Sequence, residues 1–175
     1  MTLYDCGADS YVHKDLDGWN VCMDKSLFKW WSWWRTLGER TEDLLLEDIR
    51  HIEGVLEPAT FAYLRENTPI YVEKNSLFEG AAVYHPDSIW LIDNGYPAYW
   101  EKSVMLDTQL YLDAAECQPA QLLHVLAYSW LDQYLGDYEP LEDAYENALS
   151  EGTYENVENC QGDIVNRAYA LMGKE

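Results

Sequence analysis

Residues 118–135 form the longest apolar-periodic stretch of the chain, and a helix of that length with an apolar face has to be covered by other elements. Pro119 suits the first turn, where a missing N–H costs nothing. Leu123, Ala127, Trp130 and Tyr134 recur at helical spacing, and this stripe is expected to be the buried one. A second stripe, offset by about a third of a turn, holds His124, Tyr128, Leu131 and Leu135. It places an imidazole and a phenol one turn apart on a shared face.

The remaining elements supply a cover. Residues 42–56 set Leu45, Ile49, Ile52 and Leu56 at helical intervals, with Glu42, Asp43 and Glu47 toward the start, where acidic groups suit the helix dipole. Pro58 opens a short helix through Leu64, and residues 69–73 read as a strand. Residues 19–23 read as a strand after the Asp17-Gly18 turn, residues 103–106 as another, and residues 79–84 as a strand or an extended rim. His85 has a restricted backbone before Pro86, and Asn94-Gly95 marks a turn after residues 88–91. A break at residues 138–140 precedes a shorter acidic helix, 141–149, ended near Gly152. No repeat, low-complexity tract or long linker divides these elements, and 175 residues suffice for one sizeable core. A single domain over residues 1–175 is therefore expected.

Charge narrows the partners. Eleven Lys+Arg residues stand against 32 Asp+Glu, a formal net charge of −21, which repels phosphate backbones and argues against nucleic-acid binding. The acidity suits a basic protein or peptide, or a small organic ligand. No D-x-[DN]-x-[DN]-G loop gathers the carboxylates around calcium. Eight Trp and 14 Tyr supply core packing or contact surface. Trp30, Trp31, Trp33 and Trp34 cannot all share one face of a helix or strand, so part of that group is expected to meet solvent, another segment or a ligand.

No apolar run approaches the roughly 18 residues of a membrane span, so membrane association is not expected. Residues 1–6 lack the basic and apolar regions of a signal peptide. The chain reads as cytoplasmic, with a secreted mature form as the alternative. Cys6, Cys22, Cys117 and Cys160 are too dispersed for a zinc knuckle or a C-x-x-C motif and are compatible with disulfides in any of three pairings or with free thiols.

The four-residue spacing on the main helix bears on chemistry. In a zinc peptidase helix two histidines four residues apart converge on one metal, and a glutamate after the first takes a proton from the metal-bound water. Here His124 stands first, Val125 occupies the glutamate position and Tyr128 the second histidine position. Valine cannot accept a proton, and a phenol that titrates near about 10 is a poor zinc ligand.

Three stretches carry a resemblance: residues 84–91 with Asn94, Gly95 and Tyr96; Gln118-Pro119 through Leu122, Leu123 and His124 to residues 132–135; and Ala144, Tyr145 and Glu146 with residues 150–154, extending to residues 167–171. In their order the chain, from about Trp19 onward, resembles a zincin-like metallopeptidase family distantly related to the catalytic domain of anthrax lethal factor. The resemblance implies an α+β fold, a small sheet packed against a central helix with further helices. It also implies H-E-x-x-H on the central helix and a glutamate on a later helix as third ligand. Only His124 matches that set; Val125 and Tyr128 depart from it, and Glu175 alone falls near the third-ligand position.

The resulting expectation is a non-catalytic pseudo-metallopeptidase, with no metal and no cofactor, that acts as a binding or regulatory protein through an acidic, aromatic-rich cleft. His124, Tyr128, Tyr84, His85 and Trp90 are its expected ligand-binding residues. The alternative is a metal-independent enzyme reusing the cleft, with His124 as acid or base and Tyr128 or His85 assisting as catalytic residues.

Overall fold

The computed structural model describes residues 5–29, 33–78, 80–116 and 120–136, with residues 143, 146–147, 150–152, 157–158 and 164–165 beyond them. Of residues 34, 157–158 and 164–165 only the backbone is described. The chain divides into two compact units, Met1–Tyr134 and Leu135–Glu175.

The first unit is an α+β structure built on a five-stranded mixed sheet. Strands β1 (Tyr11–Leu16), β2 (Trp19–Asp24), β3 (Ile70–Glu73), β4 (Ala82–His85) and β5 (Ser103–Asp107) lie in the order β1-β2-β3-β5-β4. The inner strands β2, β3 and β5 run parallel, and each edge strand is antiparallel to its neighbour. Asp17 and Gly18 both take positive φ, 50° and 85°, which gives the β1–β2 hairpin the twist of a two-residue turn and favours glycine at the second position.

Parallel strands are covered on both faces, so each face has its own core. On one side Val21, Met23, Ile70, Val72, Val104, Leu106 and Tyr84 pack against helices α1 (Trp34–Val55), α2 (Pro58–Asn67), α4 (Thr108–Ala115) and α5 (Gln121–Trp130). Leu45, Ile49 and Ile52 of α1 are fully or almost fully buried there, as the 42–56 periodicity predicts. The N-terminal part of α1, outside that periodicity, comes close to the preceding chain: a Cβ on Gly38 would stand 2.9 Å from the Leu27 carbonyl oxygen. On the other side Cys22, Tyr71 and Met105 meet α3 (Ser88–Asp93), Tyr96, Trp100 and Cys6. Tyr71 stacks on Trp100 with centroids 4.3 Å apart, and a Cys6–Cys22 disulfide pins the N-terminal segment onto this second core.

The structure corrects the facing of α5. Leu122, Val125, Leu126 and Ser129 are its buried residues, whereas Ala127 is exposed, Tyr134 is 59% exposed, and Leu123 and Trp130 are half-buried flanks. The apolar residues of this helix occupy nearly its whole circumference, so spacing alone selects more than one stripe; the sheet takes the one without rings. Regular α-helix ends at Trp130, and Leu131–Leu135 continues as a π-helical turn. Pro119, expected in the first turn, lies outside the described residues.

In the second unit Asp143, Glu146, Asn147 and Ser150 are helical, Gly152 takes positive φ (67°), and Val157–Glu158 pairs antiparallel with Ile164–Val165. Glycine in that conformation ends the acidic helix near the predicted position. Among the described residues no helix is long and apolar enough to cross a membrane.

Candidate functional site

Helix α5 lies against the edge strand β4, and two of the residues the sequence singles out, His124 and Tyr128, stand on it. His124 and Tyr128 meet edge to face, with ring centroids 5.1 Å apart and an interplanar angle of 72°. Both are half-buried. Partial desolvation disfavours their charged forms, holding the His124 pKa below the ordinary imidazole value and the Tyr128 pKa above the ordinary phenol value. Near neutrality the pair is an uncharged imidazole beside an uncharged phenol.

One turn on, the Tyr84 hydroxyl donates to Asp132 Oδ2 at 2.6 Å. Burial, and then this hydrogen bond to a carboxylate, push the Tyr84 pKa far up. Asp132 is placed by the π-helical turn, which widens the helix where the α repeat ends. The same turn brings Gln133 Nε2 to Ser129 Oγ (2.7 Å) and Thr68 Oγ1 (3.2 Å), while the Thr68 and Ser129 hydroxyls share a 2.5 Å hydrogen bond. Thr68 and Ser129 are fully buried, and the Thr68 carbonyl accepts from Trp19 Nε1 at 2.7 Å, so this network fastens α5 to the sheet rather than facing a ligand.

His85 and Trp90 stand elsewhere. Side chains alternate along β4, so Tyr84 joins the core under α5 while Val83 joins the opposite core, and His85 stacks on Trp90 there with centroids 3.4 Å apart. Burial lowers the His85 pKa, partly opposed by Asp87. The five sequence-predicted residues thus form two groups on opposite faces of the sheet: His124, Tyr128 and Tyr84 on one, His85 and Trp90 on the other. Asp132 is the group that sequence reasoning passed over. Its signal was present, because Asp132 lies four residues beyond Tyr128 and eight beyond His124 on the same helical register.

The donor set does not fit a hydrolytic zinc centre of the implied kind. Val125, at the position of the proton-accepting glutamate, is 3% exposed and packed in the core, and Tyr128 offers a phenol held in its neutral form. Glu175 lies outside the described residues. Among the described residues no group of three or more His, Cys, Asp or Glu side chains is placed to hold a metal ion.

No family model, no curated protein and no solved structure matches this chain.

Proposed function

We propose that the chain is a zincin-like protein used for binding rather than for peptide hydrolysis, and that the groove between β4 and α5 takes a cationic or hydrogen-bond-donating group from a basic peptide or a small organic ligand. The observation that carries this reading is the exposed Asp132 carboxylate engaged by Tyr84, on the helix that also bears the neutral His124–Tyr128 ring pair. A carboxylate whose geometry is held by a phenol attracts an ammonium or guanidinium, and aromatic rings retain the aliphatic stem behind it. The net charge of −21 speeds the encounter with such a partner. The same groups are poorly equipped for proton transfer: the imidazole is a weakened base, and both phenols resist ionisation.

Calorimetry with hexapeptides carrying lysine or arginine, against the same peptides carrying glutamate, tests the reading. The basic peptides should bind, with affinity falling as salt rises, and Asp132→Asn should weaken them at least tenfold without lowering the melting temperature appreciably. Salt-sensitive preference for an anionic polymer, or zinc-dependent peptide cleavage that disappears in His124→Ala, would overturn it.

A further inference from the structure

Helix α3 presents an apolar ridge to solvent on the sheet face opposite the groove. Ile89 is 67% exposed and Ile92 58%, and their three-residue spacing puts them side by side on one face of the helix. Leu77, 71% exposed, extends the ridge: its Cδ1 would stand 3.4 Å from a Cβ on Gly95, whose N–H bonds to the Ile92 carbonyl at 3.1 Å. These are three of the most exposed large apolar side chains among the described residues, and they are gathered on one stretch of surface.

The ridge rests on a firm base. Leu91 is fully buried beneath it, Trp90 is stacked on His85, Asp87 caps the helix through Ile89 N–H, and the Tyr96 hydroxyl bonds Leu77 N–H at 2.6 Å. Folding therefore gains nothing from exposing Ile89, Ile92 and Leu77, whereas a partner that covers them gains their burial without reorganising the helix.

We propose that this face docks a helical segment of another protein, apolar on one side and bordered by lysine or arginine. The exposed Asp87, Asp93 and Glu101 border the ridge in sequence, against the exposed Lys102 and the half-buried Lys74, and the chain as a whole carries −21. That charge matches a basic segment. It opposes a second copy of the chain, which would bring another −21, and an anionic lipid surface equally. The ridge formed by residues three apart fits the groove of a partner helix.

The test uses a synthetic amphipathic helix of leucine and lysine, a scrambled peptide of the same composition with no apolar face, and the 175-residue protein carrying Asp132→Asn, which removes the carboxylate that would hold any lysine peptide on the other sheet face. Fluorescence anisotropy should show binding of the amphipathic peptide, little binding of the scrambled one, and at least a tenfold loss in Ile89→Asn/Ile92→Asn. Val55→Asn, at an apolar residue 56% exposed on α1, should leave binding unchanged. Equal binding by the scrambled peptide, or by the Ile89→Asn/Ile92→Asn protein at an unaltered melting temperature, would overturn the proposal. So would concentration-dependent self-association lost in that double variant, or its partition onto phosphatidylcholine vesicles. The groove and the ridge lie on opposite sheet faces, so loss of hexapeptide binding in Asp132→Asn and loss of amphipathic-peptide binding in Ile89→Asn/Ile92→Asn separate the two proposals.

Discussion

Replacing both members of the Cys6–Cys22 disulfide by alanine should lower stability by about 3 kcal/mol. The bridge closes a loop of sequence separation 16, and the chain entropy that a cross-link of this span removes from the unfolded state amounts to about 3 kcal/mol at 25 °C. At roughly 2–4 °C per kcal/mol for a protein of this size, the melting temperature should fall by roughly 6–12 °C. The loss should be felt on one side of the sheet, because Cys6 and Cys22 pack with Tyr71, Tyr96, Trp100 and Met105 and not with α5. Calorimetric scans of wild type and Cys6→Ala/Cys22→Ala in non-reducing buffer measure the shift, and peptide mapping identifies the bond. Cys22 is fully buried and Cys6 nearly so, hence dithiothreitol should reduce the native protein slowly and only through local opening. A melting temperature within about 2 °C of wild type, with the bond shown to be present in wild type, would refute the loop-closure reasoning.

Val125→Glu, which places a glutamate after His124 as a zinc-peptidase motif has it, should destabilise the protein by more than about 3 kcal/mol and produce no hydrolase, because that side chain is 3% exposed in the main core; a denaturation midpoint near wild type would contradict this placement. The pH dependence of stability should carry a histidine component. Burial lowers the pKa of His124 and His85, so the unfolded chain binds those protons first; their contribution is intact above the unfolded value of about 6.5 and is lost as pH falls from there toward the folded values. Urea midpoints at pH 7.5 and 5.5 should differ less in His124→Gln than in wild type, and an unchanged difference would place His124 in water. Glu73 and Asp48, raised chiefly by burial, act with the opposite sign as pH rises from the ordinary carboxylate range, and comparison with the variant subtracts them.

The elements that were legible in the sequence are those whose one buried face is spelled out by spacing. Leu45, Ile49 and Ile52 define the inner face of α1, and the apolar runs of β2, β3 and β5 are those of strands buried on both sides. Strand β1 was not visible as such, since only Leu16 among its residues is buried; the Asp17-Gly18 turn before β2 was the available clue to a hairpin partner. Helix α4 is eight residues and begins with an Asp107 cap that accepts from Gln109 and Leu110 N–H, a signal readable as S/T/D/N before an apolar run. The site was half legible. The His124–Tyr128 contact follows from helical spacing, but pairing Tyr84 with Asp132 requires knowing that β4 is the edge strand beside α5, which no local pattern encodes.

The phase of α5 explains why a zinc-peptidase motif cannot be built on this helix one residue at a time. On any helix consecutive residues point about 100° apart, so the residue after His124 either looks toward the groove or into the core according to how the helix is rolled. Here the roll is set by Leu122, Leu126 and Ser129, all fully buried, and by the Thr68–Ser129–Gln133 hydrogen bonds that tie the helix to the sheet. With that roll Val125 completes the core, and His124 and Tyr128 are left half-buried and Asp132 exposed. A carboxylate follows on that register, but as Asp132, two turns from His124 and engaged by Tyr84, poorly placed to take a proton from a water on the imidazole.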